Sequence, residues 1–419
     1  MIVMGEWQVM KRENEEHISL PRNEALKRIM ERCDLKSRIE TIPLIHGLGR
    51  VCAYDIVSMN TLPNSLTSRL DGIAVYYHDF ENGTPDTSSW KRGVQYDFAN
   101  TGIAIKKDYD TVIKIEEVEV DKLDNIKILK APSAKGELTQ PVGQKMKKGD
   151  VLVKSHTLLT PSHLEILAMG GIDKIDVLQK PVVAIIPTGN ELVPVGTPLP
   201  LGKNVESNSI MMRTKVVLWG GQPLVYDIVP DDPKKIINTL LDALKKADIV
   251  IINGGSSKGT EDYNIKMLGE VGEVLAHEVE HGPGKHTSFT VAYGKPVIGI
   301  VGPPIGAEYT VDWYIMPLIN KYLFQPTIKP QRLQVVLTKP IVSKRPFDFY
   351  VRIIVKYEDG QYKGTPVIGR DRPVIEGLIY ANAHLCIPGS VDGYEAGAKV
   401  EVELRCPIEL ITRNGGETE

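Results

Sequence analysis

The sequence predicts a multidomain α/β and β protein. A parallel-sheet α/β domain follows a β-rich inserted domain and precedes a C-terminal β-barrel. Three observations carry that prediction. Over residues 181–326, continuous apolar runs, the mark of strands buried on both faces, alternate with amphipathic helical patterns. Residues 51–148 hold short strand patterns separated by Gly, Pro, Asn and Asp, and residues 327–419 return to that texture. At 419 residues the chain is also too long for one core.

In chain order, residues 1–20 are polar and charged and read as a loose arm or a first helix. Pro21 starts a helix over 23–33, with Leu26, Ile29 and Met30 at helical spacing. Residues 111–120 alternate as one strand with a wet face, and 121–125 supply a turn. Pro161 starts and Gly170-Gly171 stop a second helix. The two helices flank the β-rich stretch, which predicts a discontinuous domain of 1–50 and 149–180 interrupted by an inserted domain at 51–148.

The α/β domain at 181–326 begins with strand 182–186. Helix 209–219 follows, capped by Asn208, then strand 224–229. Asp232 caps a helix with Ile236, Ile237, Leu240, Leu241 and Leu244 on one face. Strands 248–253 and 297–301 and a helix near 306–323 complete a parallel sheet with right-handed crossovers. Beyond it, strands 333–337, 350–355 and 400–404, with turns at Gly393 and Gly397, fit a small barrel or sandwich over 327–419.

A net charge of −3 and a pI near 6.3 argue against bulk nucleic-acid binding. No run of eighteen apolar residues occurs, so no membrane span is expected. The N-terminal residues lack the apolar core of a signal peptide. Four scattered cysteines with no C-x-x-C pair point to a reduced, cytoplasmic protein.

Ligands of an open parallel sheet bind outside the carboxyl ends of its strands. Three loops take that place: Pro187-Thr-Gly-Asn-Glu-Leu, Asn253-Gly-Gly-Ser-Ser-Lys-Gly-Thr-Glu-Asp and Val301-Gly-Pro-Pro-Ile-Gly. In the second, Gly254 and Gly255 offer backbone amides, Ser256 and Ser257 offer hydroxyls, and Lys258 offers charge, a combination suited to phosphate. Glu191 and Asp262 end the first two loops. Each is either a Mg²⁺ ligand beside that phosphate or a first-turn helix residue. His277, His281 and His286 read as polar surface histidines. Lys285 lies in a Gly/Pro loop, as a solvated lysine or an anion contact. No P-loop, nucleophile elbow or dinucleotide fingerprint is present.

The ordered set of loops resembles the MoeA/gephyrin family of molybdopterin molybdenumtransferases over roughly residues 20–415. The matching segments are Thr188-Gly-Asn-Glu-Leu, Glu206-Ser-Asn-Ser, Val229-Pro-Asp-Asp, Gly254-Gly-Ser-Ser-Lys-Gly-Thr-Glu-Asp-Tyr, Pro283-Gly-Lys, Asp71-Gly-Ile-Ala-Val and Asn100-Thr-Gly. The resemblance implies a MogA-like molybdopterin-binding α/β domain, an elongated homodimer, and contact with the molybdopterin adenylyltransferase. It implies that molybdate, or tungstate, is inserted into adenylylated molybdopterin (molybdopterin-AMP) with Mg²⁺ present and AMP released. It assigns catalysis to Glu191, Asp262, Asp232 and Asp71. Metal binding falls to Glu191, Asp231 and Asp262. Ligand binding falls to Thr188, Gly189, Asn208, Gly254, Gly255, Ser256, Ser257, Lys285 and Thr101, with Asp71 and Thr101 coming from the facing module of a partner subunit.

This chain is a divergent member by that comparison. Leu66 and Thr67 stand where the family carries aspartate and asparagine, and Lys145 replaces a further acid. Leucine and lysine do not bind Mg²⁺ as a carboxylate does. The alternative reading is a catalytically impaired paralogue that stores, senses or delivers the pterin cofactor.

Overall fold

The computed structural model describes residues 18–106, 108–254, 267–369 and 373–413. The chain forms two compact units, residues 38–179 and residues 1–37 with 180–419.

Helix α1 (Arg22–Arg32) opens the larger unit. Its sheet then uses β1 (Val182–Pro187), β2 (Gln222–Val225), β3 (Ile249–Asn253), β4 (Glu273–Ala276), β5 (Ser288–Ala292) and β6 (Lys295–Ile300) in the order β2-β1-β3-β6-β5-β4. The first four in that order run parallel, and β5 and β4 are added antiparallel at one edge. The sheet is therefore mixed, not purely parallel. The hairpin β5–β6 turns at Tyr293-Gly294, which both have positive φ. Helices α2 (Asn208–Leu218) and α3 (Pro233–Lys246) are the crossovers. The buried face of α3, with Ile236, Leu240, Ala243 and Leu244, packs on Ala184, Ile186, Val250 and Ile252, as its helical spacing predicts. Burying each such aliphatic side chain contributes about 1.5–3 kcal/mol.

Two sequence expectations fail here. Helix α1 does not join the residues around 149–180. It packs by Ala25 and Ile29 into the larger unit, where Ser19 and Leu20 pair with Glu278 and Val279, and Asp34 N–H donates to Gly294 O at 2.8 Å. Residues 304–322 run as α4 (Pro304–Thr310), a wide π turn (Val311–Ile315) and α5 (Met316–Tyr322). Pro317 lacks the N–H that a continuous α-helix requires there.

The C-terminal strands β7 (Arg332–Leu337), β8 (Asp348–Glu358), β9 (Gln361–Val367), β10 (Ala383–Ile387) and β11 (Lys399–Leu404) close into a five-stranded barrel, because β8 pairs with both β9 and β10. Alternate residues Val351, Ile353 and Val355 of β8 meet Val335, Leu385 and Val402 inside it. A buried charge cluster fastens the barrel to the α/β domain. Glu308 of α4 accepts from Arg352 at 2.6 Å and from Arg405 at 2.5 Å, and Lys215 lies 3.3 Å away. Those three cations hold the Glu308 carboxyl below its ordinary range although burial opposes this. Arg22 of α1 lies over the rings of Trp313 and Tyr350, so it touches both domains.

In the smaller unit, residues from both flanks of the β-rich stretch share one core: Cys52 with Val153, Leu159, Leu167, Ile175 and Val177. The β-rich stretch has its own core of Ile73, Val75, Tyr96, Ile113 and Ile128 around the three-stranded sheet Tyr96–Ala99, Gly72–Val75 and Thr111–Lys114. The expected single strand over 111–120 is broken by a 3₁₀ turn at Ile115–Glu117. After it, Val118–Val120 pairs with Ile126–Ile128 instead. Among the described residues, no helix is long and apolar enough to cross a membrane.

Candidate functional site at the carboxyl ends of the sheet

The chain leaves β1 toward β2 on one side and reaches β3 on the other. The topological switch point thus falls between the carboxyl ends of β1 and β3. Thr188 and Asn253 stand there. Thr188 N–H donates to Asn253 O at 2.8 Å, and the Thr188 side chain is buried.

Asn253 is 3% exposed, so each of its polar atoms needs a protein partner. Its Nδ2 donates to Val301 O at 2.8 Å and Ile300 O at 3.3 Å, and its Oδ1 accepts from Asn208 Nδ2 at 2.9 Å. Asn208 Nδ2 also reaches Gly302 O at 2.8 Å. These two amides tie together β3, the loop after β6 and the start of α2. Asn208 is not the cap of α2. It is the first helical residue; Ser207 is the N-cap residue, and Glu206, just before it, accepts from Ser209 N–H at 2.9 Å. Asn208 was expected to bind ligand; the structure gives its amide nitrogen a positioning role.

Gly254 has φ +116°, and a Cβ there would stand 2.2 Å from Thr188 O. Only glycine fits. Its N–H donates to Ile300 O at 3.0 Å, so this amide is not one of the free donors expected for phosphate. Gly255, Ser256, Ser257 and Asp262 lie outside the described residues.

The loop after β1 is bracketed to the loop after β2. Asn190 N–H donates to Asp231 Oδ2 at 3.0 Å, and Asp231 N–H donates to Asn190 Oδ1 at 3.2 Å. Gly189 N–H donates to Val229 O at 3.1 Å. Glu191, next in the first loop, is exposed. Asp232 behaves differently from its neighbour. Its carboxylate caps α3, accepting from Lys234 N–H at 2.9 Å and Lys235 N–H at 3.2 Å.

Lys285 precedes β5, whose first residue Ser288 pairs with Gly299 near the carboxyl end of β6. The lysine therefore sits on the same rim. Its Nζ lies 3.2 Å from Glu278 and over the Phe347 ring of the barrel. His277 and His281 are buried, which corrects the surface assignment; only His286 is exposed. His281 Nε2 is 2.8 Å from Tyr314 OH, and burial pushes its pKa down to about 3.

In the smaller unit, Asp71 and Thr101 meet as a pair. Thr101 donates to Asp71 Oδ1 from its N–H at 2.7 Å and from its hydroxyl at 3.0 Å. These bonds hold the Asp71 carboxyl below its usual range. Leu66 is half-buried, with its carbonyl accepting from Ile105 N–H, and Lys145 is exposed.

Among the described residues, no three His, Cys, Asp or Glu side chains converge as a metal site. Glu191 and Asp231 offer carboxylates on two loops joined by Asn190. One or two carboxylates is the number Mg²⁺ takes when substrate phosphates complete its shell, so the donor set fits. Sequence reasoning missed the roles of Asn253 and Asn190. The signal for Asn253 was available: an amide closing an otherwise apolar buried strand needs internal partners.

A mixed α/β sheet with a topological switch point, fused to a five-stranded barrel, defines a multidomain α/β and β protein with its candidate ligand site at the carboxyl ends of the sheet. Residues 184–321 match the family model described as "Probable molybdopterin binding domain". Residues 20–171 match the MoeA N-terminal region (domain I and II), and residues 334–404 the MoeA C-terminal region (domain IV). The chain belongs to the MoeA family. It is 29% identical over 412 residues to a molybdopterin molybdenumtransferase of Bacillus subtilis, covering 93% of this chain and 95% of that one. A Staphylococcus aureus molybdopterin molybdenumtransferase is 26% identical over 402 residues, covering 92% and 95%. The crystal structure of a molybdopterin biosynthesis MoeA protein from Pyrococcus horikosii superposes with a TM-score of 0.77 at 28% identity, covering 93% of this chain and all of that one.

Proposed function

We propose that this protein acts in molybdenum cofactor biosynthesis as a molybdopterin molybdenumtransferase, inserting molybdate or tungstate into adenylylated molybdopterin and releasing AMP. The observation that supports this best is the site at the switch point: Thr188, Gly189, Asn190 and Glu191 held against Asp231, with Gly254 packed on Thr188. Relatives bearing that enzyme's name match along nearly the whole chain.

In this reading the loop that begins at Gly254 and continues through Gly255, Ser256 and Ser257 holds the phosphates, with Lys285 on the rim adding positive charge. Glu191, Asp231 and Asp262 would hold Mg²⁺, and the ion would supply positive charge beside the pyrophosphate while water cleaves its P–O–P bond, one phosphate staying on molybdopterin and the other leaving as AMP. Asn190 orients Asp231 toward the ligand by donating to one of its oxygens. Asp232 acts through the α3 N-terminus that it caps. Asp71 and Thr101 are a preformed polar pair for the facing side of the cleft in a homodimer, and contact with the adenylyltransferase would hand over the substrate.

Leu66 and Lys145, standing where the family has acids, favour the second reading, a paralogue that binds the cofactor without turnover. One assay separates them. Purified full-length protein is mixed with molybdopterin-AMP, Mg²⁺ and molybdate, and AMP is measured. Release of AMP with active cofactor supports the enzyme. Tight nucleotide retention without release supports the binding protein.

A further inference from the structure

The place of Lys285 on the rim is set by how the residues around it lie on α4. Gly284, the residue before it, has φ +99°, and a Cβ there would stand 2.9 Å from Thr310 Oγ1 and 3.3 Å from Gly306 O. A Cβ on Gly306 would in turn stand 3.2 Å from Gly284 N and 2.8 Å from Val301 Cγ2. The two glycines thus let the turn at 283–285 lie backbone to backbone on α4, next to the loop after β6. All of these residues belong to the larger unit.

Two hydroxyls close this contact. Thr287 and Thr310 are both 0% exposed, so neither can touch a ligand. Thr287 Oγ1 donates to Gly284 O at 2.7 Å, beside the Thr287 N–H, which reaches the same carbonyl at 3.1 Å. At the 3.1 Å contact between the two hydroxyls, Thr310 is therefore the donor. Its single proton is shared between Thr287 Oγ1 and Gly306 O, which is 2.9 Å away. The pair bridges the turn to α4. Lys285 O is held separately, accepting from Val279 N–H at 2.8 Å. With the backbone fixed on both sides, only the side chain of Lys285 is left to move. Its ammonium is a point charge, whose effect on a bound anion falls with distance. A shift of the turn would move that charge.

We propose that Thr287 and Thr310 are positioning residues, whose hydroxyl pair locks the Lys285 turn onto α4 and so fixes where the lysine's charge meets a phosphate-bearing ligand. The proposal rests on the reading of Lys285 as a phosphate contact in the function above. It adds two residues that act through that lysine from inside the fold.

The test is a double-mutant cycle in binding. Inorganic pyrophosphate is titrated into the full-length protein as wild type, Thr310→Val, Thr310→Ser, Lys285→Met and the Thr310→Val, Lys285→Met double variant, with a melting curve for each. Valine keeps the shape of threonine and removes the hydroxyl, whereas serine keeps the hydroxyl. Lys285→Met is expected to weaken pyrophosphate at least about tenfold, the loss of a charged partner. Thr310→Val should weaken it about threefold, and Thr310→Ser should stay within about 1.5-fold of wild type. In the Lys285→Met background, Thr310→Val should change binding by less than about 1.5-fold. Thr287→Val breaks the pair from the other side, follows the same pattern, and takes the place of Thr310→Val should that variant not fold. A pair that only holds the fold would lower the melting temperature and leave pyrophosphate affinity unchanged, or weaken it equally in both backgrounds. Either result overturns the proposal and, with Lys285→Met still weakening binding, leaves the proposed function standing. A wild-type protein that binds no pyrophosphate, or binds it independently of Lys285, sinks the phosphate reading of Lys285 and this proposal together.

Discussion

Asn208 Nδ2 and Asn253 Oδ1 meet at 2.9 Å beneath the carboxyl ends of β1, β3 and β6. Both residues are more than nine-tenths buried, and between them they hold the carbonyls of Ile300, Val301 and Gly302. The loop after β6 and the start of α2 are therefore tied to the end of β3 by side-chain amides as well as by the sheet.

Asn208→Ala should remove the Asn253 contact and leave Gly302 O without that donor. We expect a loss of about 1–3 kcal/mol in stability. A double-mutant cycle with Asn253→Ala, read by urea unfolding, should show a coupling of at least about 0.5 kcal/mol. Strict additivity would mean that the two amides act independently.

The neighbouring acids Asp231 and Asp232 should separate cleanly. Asp232→Ala removes the α3 cap and should cost about 1 kcal/mol of stability with a smaller effect on AMP release. Asp231→Ala removes the carboxylate bracketed by Asn190 and should lower AMP release at least tenfold with near-normal thermal stability. Paired melting curves and release assays check both, and an exchange of the two phenotypes would reverse the assignment.

The buried groups predict the acid side of the stability curve. The Glu308 carboxyl lies below its ordinary 4.5 in the fold. Its contribution is thus present above that value and is lost as pH falls through the folded one. His281 drops from 6.5 to about 3 when folded. The unfolded chain then binds the extra proton between those values, and stability rises with pH across that window by up to about 1.4 kcal/mol per unit. His384, also lowered by burial, adds in the same direction. Urea unfolding from pH 4 to 7 should show this slope, and His281→Gln should flatten it.

Leu66→Asp restores an acid where the MoeA-type pattern carries one. We expect it to raise AMP release in the presence of Mg²⁺, measured against wild type under the same conditions. An unchanged rate would mean that the facing module works without that acid.

The fold was legible where periodicity is strong. The apolar strands at 182–186 and 248–253 and the one-sided helix over 233–246 stand within a residue or two of their expected places. The misses have particular causes. Residues 111–120 alternate throughout, but hydropathy does not reveal a 3₁₀ turn that redirects Val118–Val120 to a new partner. The docking of α1 onto the larger unit depends on contacts about 260 residues away, such as Ser19 with Glu278, which no local pattern records. At the site, glycine at 254 suggests free backbone amides when only the sequence is considered. The structure shows instead that the close approach of Thr188 O demands it. Buried His281 reads as a polar surface residue in one dimension because its Tyr314 partner lies 33 residues on.

In the proposed function the loops joined by Asn190 and Asp231 handle the pyrophosphate of molybdopterin-AMP. The most direct test of this is AMP release from that substrate by wild-type protein with molybdate, with and without Mg²⁺, beside Glu191→Gln. The expected result is Mg²⁺-dependent release that falls at least tenfold in the variant. Release that is indifferent to both the ion and Glu191 would contradict it.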